Sequence, residues 1–264
     1  MNELRYVMID FDFLFKNKER LRIDYLSAKP FPHLIIDDFC IKDRIEELYS
    51  LIPEINTRSR DIVFANNKFE KSNYKELGSL FNELYTDLSS KKMGDFLSFI
   101  SAKDIFVDPK NHGGGLHQGK KNSSLAMHLD FNYHPMQKYW FREMNLLLYL
   151  NKDWKDEYKG HLKIEDLRTG EKKQIGVPFN RMIIQQCGPY TLHGYDQTNF
   201  PTDLFRTSVA TYAYHEHIRY LETPRTTDWF PENSSFIKRF WGRNVKHLVK
   251  IKTKIFGSGT AKNQ

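Results

Sequence analysis

The first hundred residues alternate between extended and helical patterns of apolar positions. The apolar segment 33–39 follows a proline-rich turn and predicts a short strand. Apolar residues then recur every three or four positions, as on one face of a helix, in the segments 41–52, 77–88 and 96–100. The first helix should run from Asp43 to about Ser50, before Pro53. The polar stretch 54–74 is predicted to be a loop, and residues 1–28 show little period.

From residue 104 onward the pattern changes to short apolar segments between clusters of Gly, Pro, Asn and Asp. These segments are 104–108, 124–130, 143–150, 161–165, 181–185 and 206–214. Several short strands at intervals of this kind predict an antiparallel sandwich or barrel. We therefore expect residues 1–103 to form a strand and helical support layer of one domain. Residues 104–218 should form its β core, and residues 219–264 a basic C-terminal tail, partly helical.

Charge is distributed unevenly along the 264 residues. The net charge is +7, yet no acidic residue follows Glu232, and residues 233–264 carry eight Lys and Arg. The rest of the chain therefore sums to −1, so no nucleic-acid partner is expected. In the tail, basic residues fall between apolar residues at helical spacing. Such a segment either packs on the domain or docks on an anionic surface or partner.

Other features of the composition restrict the class of protein. Hydrophobic residues make up 40 % of the chain and charged residues 28 %, which is typical of a globular protein and not of a disordered one. No apolar run approaches the roughly 20 residues of a membrane span. The N-terminus lacks the pattern of a secretory signal. Cys40 and Cys187 cannot form a disulfide framework, so a reducing, cytoplasmic location is expected. Oligomeric state is left open.

One histidine has a carboxylate two residues later, in His128-Leu129-Asp130. Residues i and i+2 of a strand share a face, so this imidazole and carboxylate could bind one metal ion. About one such pair is expected by chance, and a histidine beside a solvated aspartate is the structural alternative. A third ligand would have to come from another strand. The candidates are His161, His193, His215, His217 and His247.

Arg206 opens the strand predicted over 206–214, thirteen residues after His193. An arginine that points inward from an apolar strand is costly unless a carboxylate pairs with it. Ser208 shares its face and can add a hydroxyl donor. Two histidines and one carboxylate, with an Arg/Ser clamp for an anion, match a facial triad with a co-substrate site.

These motifs, in this order, resemble the Fe(II)/2-oxoglutarate-dependent oxygenase superfamily, in its prolyl 4-hydroxylase-like branch. Four further segments carry the resemblance, which covers about residues 29–218. The segment 149–154 (YLNKDW) matches the Tyr-Leu-Asn-x-x-Trp signature of prolyl hydroxylases. The others are 30–39, similar to the family's first core strand, 113–117 (GGGLH) before the His-x-Asp strand, and 179–181 (FNR) before the distal histidine.

The resemblance implies a double-stranded β-helix (jelly roll) braced by N-terminal helices. It implies that His128, Asp130 and His193 bind Fe(II) and form the catalytic centre. Arg206 would pair with the distal carboxylate of 2-oxoglutarate, and Tyr149 would donate a hydrogen bond to it. Dioxygen is then the second co-substrate, and ascorbate a candidate accessory cofactor.

Two departures from the family pattern concern the co-substrate site. The interval from His193 to Arg206 is longer than in most prolyl hydroxylases, and Ala210 stands where some members have threonine. Ser208 could supply the missing contact. Asp130 favours hydroxylation, because halogenating relatives have Ala or Gly at that position.

The substrate is the least determined part of the hypothesis. Hydroxylation of an unactivated C–H bond is expected, with a prolyl residue of a protein or peptide as one substrate. The alternatives are a free amino acid, a glycan or a biosynthetic intermediate. Asn132, His117 and Arg142 are candidate substrate contacts. Their structural alternatives are a turn residue, a loop end and a solvated pair of Arg142 with Glu143. A non-catalytic jelly-roll binding module and a Zn or Mn isomerase are the other function classes.

Overall fold

The computed structural model describes residues 7–59 and 63–230. The helices of this part of the chain are α1 (Phe11–Lys16), α2 (Lys18–Ser27), α3 (Lys42–Ser50), α4 (Ser79–Leu88) and α5 (Lys91–Ser101). Its strands are β1 (His33–Ile36), β2 (Ala65–Lys71), β3 (Phe106–Val107), β4 (Gly115–Leu129), β5 (Trp140–Tyr149), β6 (Leu162–Asp166), β7 (Lys172–Ile175), β8 (Arg181–Gln186), β9 (Thr191–Tyr195), β10 (Arg206–Glu216) and β11 (Asp228–Phe230).

The strands form one curled antiparallel sheet. Its main order is β1-β8-β5-β10-β4-β9-β6-β7, while β2 and β11 pair with β4 and β3 pairs with β10. The long strand β4 lies in the middle of this order, between β10 and β9. Its first part lies between β10 and β2, and its last part pairs with β9 and β11. The sheet thus wraps around the inner face of β4.

Alternation along β5 and β10 separates the core from this inner face. Leu146 and Leu148 on β5, and Val209 and Ala213 on β10, belong to one large apolar cluster. The amphipathic helices α4 and α5 fill the other side of that cluster, with Leu84 fully buried. The intervening residues of β5 and β10 point the other way, as the pleat of a strand requires. The helical layer therefore fixes which side chains face the interior of the curled sheet.

Asp87 of α4 ties the N-terminal segment to this layer. Its carboxylate accepts hydrogen bonds from the backbone N–H groups of Met8 (2.6 Å) and Ile9 (3.2 Å). The side chain is buried, so these charge-assisted bonds replace the water that it loses on folding. The segment before α1 is thereby held against the helices.

The predicted strand over 33–39 and the helix near Asp43–Ser50 are confirmed as β1 and α3. Other segments differ from what the pattern predicted. The predicted loop 54–74 contains β2, residues 1–28 contain α1 and α2, and the segment 124–130 is the end of the longer strand β4. Helix α2 has only Leu21 and Tyr25 buried, which explains its weak apolar period.

The divisions predicted at residues 103 and 218 stay predictions. Residues 231–264, most of the predicted tail, lie outside the described residues. None of the helices within 7–59 and 63–230 has both the length and the apolar character needed to cross a membrane.

Candidate active site

The pairing of β4 with β9 brings three side chains together at one end of the curled sheet. His128 of β4 lies directly opposite His193 of β9, and Asp130 follows the end of β4. Their ligand atoms all lie within 4.8 Å of one another. Asp130 Oδ1 lies 3.8 Å from His128 Nε2, and Oδ2 lies 3.5 Å from His193 Nε2. These separations exceed hydrogen-bond lengths and fit three donors that converge on one metal ion.

Both imidazoles are buried, and their surroundings suit metal binding. Nδ1 of His128 lies 2.9 Å from the carbonyl oxygen of Ala126, which fixes the Nδ1–H tautomer and leaves the lone pair of Nε2 free. Burial, together with the nearby His128, lowers the pKa of His193 to about 3. A neutral imidazole is the ligand form, so His193 needs no proton release at neutral pH.

The carboxylate of Asp130 is held on one side only. Oδ2 accepts a hydrogen bond from Asn145 Nδ2 at 2.8 Å and lies 3.0 Å from Arg142 Nη2. Burial acts to raise the pKa of Asp130, but Arg142 first and then the two histidines and Asn145 hold it well below its usual range. The group is therefore an anion whose Oδ1 stays available to a metal.

Arg142 is the largest fully buried side chain within residues 7–59 and 63–230. Its guanidinium lies over the Tyr212 ring, 3.4 Å from the centroid, and donates to Asn145 Oδ1 through Nε and Nη2. Nη1 is buried without a hydrogen-bond partner. The solvated pair with Glu143 is not formed, because consecutive residues of a strand point to opposite sides. Glu143 instead pairs with Lys103 at 2.6 Å.

Arg206 marks a second part of the same cavity. Nε donates to the carbonyl of Gly160 at 2.7 Å, and the guanidinium lies 3.9 Å from the centroid of the Tyr195 ring. Nη2 is buried without a partner, and no carboxylate within the described residues pairs with this arginine. A buried cation in that state is costly unless an anion completes it. The site therefore fits the distal carboxylate of a keto diacid.

Tyr149 and Ser208 stand beside Arg206. They lie opposite each other on β5 and β10, and both line the cavity. Burial raises the pKa of Tyr149 although Arg206 acts to lower it, so the hydroxyl remains a donor. The three donors predicted for an anion thus share one wall.

One cavity of about 190 Å³ joins the histidine–aspartate cluster to Arg206. Leu147, Leu162, Phe131 and Trp229 supply apolar lining, and Lys68, Glu70 and His117 supply polar lining on the side of β2. Ala210 and the glycines at 113 and 119 leave room between these walls. The candidate metal site and the candidate anion site therefore open into the same cavity.

The other two predicted substrate contacts differ in position. His117 lines the cavity, and burial, followed by Lys68 and Arg206, keeps its pKa well below the usual range. Asn132 does not line the cavity. Its side-chain amide bonds to the carbonyl of Thr223 (3.1 Å) and to the N–H of Arg225 (2.8 Å). Asn132 therefore holds the segment that leads to β11, which agrees with its alternative role as a turn residue.

Several residues that line the cavity were not predicted from the sequence. Asn145 interrupts an apolar strand, a signal that could have identified it as a partner of a buried charge. Trp229 gives no such signal. It stacks between Phe64 and His128, with both ring centroids 4.7 Å away, because β11 pairs with β4. Trp229 therefore lies beside a residue about one hundred positions earlier in the chain, which no local sequence pattern indicates.

A family model described as 2OG-Fe(II) oxygenase superfamily matches residues 114–214. No curated protein matches the chain. A prolyl 4-hydroxylase structure from Phytophthora capsici has a TM-score of 0.54 and 14% identity, and covers 95% of this chain and 81% of its own. A Pseudomonas putida prolyl-4-hydroxylase has a TM-score of 0.51 and 12% identity, with 76% and 100% covered.

A third similar structure is a prolyl hydroxylase from Trichoplax adhaerens, in complex with a hypoxia inducible factor peptide fragment. Its TM-score is 0.51 at 12% identity, and it covers 76% of this chain and 92% of its own. At these identities the likeness concerns the fold, and it confirms the predicted jelly roll. The match to the 2OG-Fe(II) oxygenase superfamily covers residues 114–214, the segment that contains His128, Asp130, His193 and Arg206.

Proposed function

We propose that the protein hydroxylates an unactivated C–H bond, with Fe(II) held by His128, Asp130 and His193. The observation that carries this proposal is the single cavity shared by the three ligands and by the unpartnered Nη2 of Arg206. A non-catalytic binding module needs no such ligand set. A Zn or Mn isomerase needs no buried cation for a second anion.

The donor set fits the proposed groups. Two neutral imidazoles and one carboxylate bind a ferrous ion through one face and leave other positions open. The chemistry that iron and 2-oxoglutarate supply when bound is the activation of dioxygen for hydroxylation, with formation of succinate and CO2. Arg206, Tyr149 and Ser208 are the residues that would hold the distal carboxylate. Ascorbate enters this proposal only as a reductant that keeps iron ferrous.

The protein's own contribution is to orient groups and exclude water. Arg142 and Asn145 hold Oδ2 of Asp130, so its other oxygen keeps one direction in the cavity. Phe131 and Trp229 cover the site with aromatic surface. A dry, preorganised site strengthens each polar interaction inside it and protects a reactive centre from water.

For the substrate, we propose a prolyl residue of a protein or peptide. The sequence YLNKDW at 149–154 and the likeness in fold to prolyl hydroxylases support this choice. His117 and Arg142, which line the cavity, are the proposed substrate contacts.

The test measures succinate formed from 2-oxoglutarate with Fe(II) and ascorbate, while proline-containing peptides and free amino acids are screened for a gain of one oxygen atom by mass spectrometry. Asp130→Ala serves as the inactive control. Succinate formation that depends on metal and disappears in this variant is the expected result. Wild-type protein that neither forms succinate nor binds 2-oxoglutarate in the presence of a divalent metal would refute the proposal.

A further inference from the structure

A second cation points into the cavity from β2. Lys68 lies directly opposite Gly119 of β4, and Arg206 of β10 lies opposite the same glycine on the other side. Side chains of paired residues on neighbouring antiparallel strands share a face, so Lys68 and Arg206 lie on the same face, on either side of a position without a side chain. Both line the cavity.

The surroundings of Lys68 suit an anion that binds between the two cations. Its side chain is only 14% exposed. His117, two residues from Gly119 on the same face, has its pKa lowered by both Lys68 and Arg206 in addition to burial, so both cations lie within electrostatic reach of one ring. Their repulsion in a partly buried site is relieved when an anion binds between them.

Glu70 is the carboxylate that the structure pairs with Lys68. Its Oε2 lies 3.8 Å from Lys68 Nζ and also 3.8 Å from Nδ1 of His117. The separation from Lys68 is an ion-pair distance that exceeds hydrogen-bond length. Glu70 therefore competes with a bound anion for Lys68.

We propose that Lys68 is a second binding residue for the distal carboxylate of 2-oxoglutarate, opposite Arg206. The proposal rests on the proposed function, since it concerns the same co-substrate. It assigns recognition of the carboxylate to β2 as well as β10. Lys68 would then favour keto diacids over keto monoacids.

The experiment measures dissociation constants by titration calorimetry on the full chain loaded with Mn(II), a metal that does not turn the co-substrate over. The ligands are 2-oxoglutarate and 2-oxobutyrate, which keeps the keto acid end but lacks the distal carboxylate. K68M should weaken binding of 2-oxoglutarate by about 10-fold or more, the factor of one charge-assisted hydrogen bond. Binding of 2-oxobutyrate should not change, and K68R should restore most of the affinity.

Two matched variants separate this role from general effects. Lys71 lies on the same strand but points away from the cavity, where it pairs with Glu76. K71M removes an equal charge and should leave both constants unchanged. E70Q removes the carboxylate that competes for Lys68, so it should bind 2-oxoglutarate at least as tightly as the wild type. Thermal unfolding of each variant checks that the fold persists.

The outcomes distinguish this inference from the proposed function. Normal binding of 2-oxoglutarate by K68M overturns the inference alone, and so does an equal loss of 2-oxobutyrate affinity. A loss in E70Q as large as that in K68M would show that Lys68 acts through Glu70, which also overturns it. Wild-type protein that binds no 2-oxoglutarate, with any metal, refutes the proposed function and this inference together.

Discussion

Replacement of Arg142 by methionine should measure how strongly the ion pair holds Asp130. The guanidinium is 1% exposed and the carboxylate 13%, and their atoms lie 3.0 Å apart. At an effective dielectric constant of about 20, two charges at this distance attract by about 5 kcal/mol. Removal of one partner from a buried pair typically costs about 3–5 kcal/mol. Because Asn145 still donates to the carboxylate, we expect R142M to lower the free energy of unfolding by about 3 kcal/mol.

A double-mutant cycle assigns that loss to the pair. Urea unfolding of the metal-free protein at pH 7, in the presence of a chelator, is measured for wild type, R142M, D130N and the double variant. Most of the cost of R142M should disappear in the D130N background, where no carboxylate charge remains. An equal cost of R142M in both backgrounds would refute the reasoning, because the loss would then come from packing against Tyr212.

The same cycle has a defined pH dependence. The pKa of Asp130 in the folded protein is held below its ordinary value, which is about 3.9 in an unfolded chain. A carboxylate of this kind contributes its full stabilisation above the unfolded pKa and loses it as the pH falls toward the folded pKa. The coupling energy should therefore be constant near neutrality and shrink below about pH 4. A coupling energy that grows on acidification would contradict the assignment.

Three further perturbations test the other parts of the site and the tail. Asp130→Ala or His193→Ala should abolish Mn(II) binding in calorimetry while circular dichroism stays native, and an unchanged affinity would count against these ligands. Arg206→Ala should raise the Michaelis constant for 2-oxoglutarate sharply, and Arg206→Lys should restore it in part. Tyr149→Phe should weaken the binding free energy of 2-oxoglutarate by about 0.5–1.5 kcal/mol, the contribution of one hydrogen bond. Truncation before residue 236 should abolish salt-sensitive binding to anionic vesicles if the tail docks on them, whereas aggregation of the truncated protein would indicate that the tail packs on the domain.

The elements that were predicted correctly, such as β5 and α3, bury one of their faces in the apolar core. In β5, Leu146 and Leu148 pack on the helices, and the segment reads as apolar because Leu147 lines a cavity that is partly apolar itself. In α3, Ile45 and Leu48 are fully buried on one side of an exposed helix. Local patterns of this kind follow from burial against a single neighbour, and a sequence displays them directly.

The residues of the candidate site could be predicted only where ligand chemistry restricts the residue type. A metal needs imidazole and carboxylate groups, so His128-x-Asp130 stood out, and the distal His193 followed from the resemblance. The residues that surround the candidate ligands are not restricted to particular side-chain types in this way. Trp229 reaches His128 because β11 pairs with β4, and Asn132 turns away because its amide binds the segment that precedes β11. These arrangements depend on tertiary pairing, which no local pattern encodes.

Strand β2, which the sequence predicted to be a loop, forms a polar wall of the cavity. A strand is recognised by alternation of apolar and polar residues, yet β2 reads ANNKFEK, with Phe69 as its one large apolar side chain. Lys68 and Glu70 occupy the inward face, which lines the cavity of the candidate site. Polar residues there remove the alternation that would have revealed a strand. The polar segment 65–71 pairs with the strand that carries His128, and it forms a wall of the cavity instead of the predicted loop.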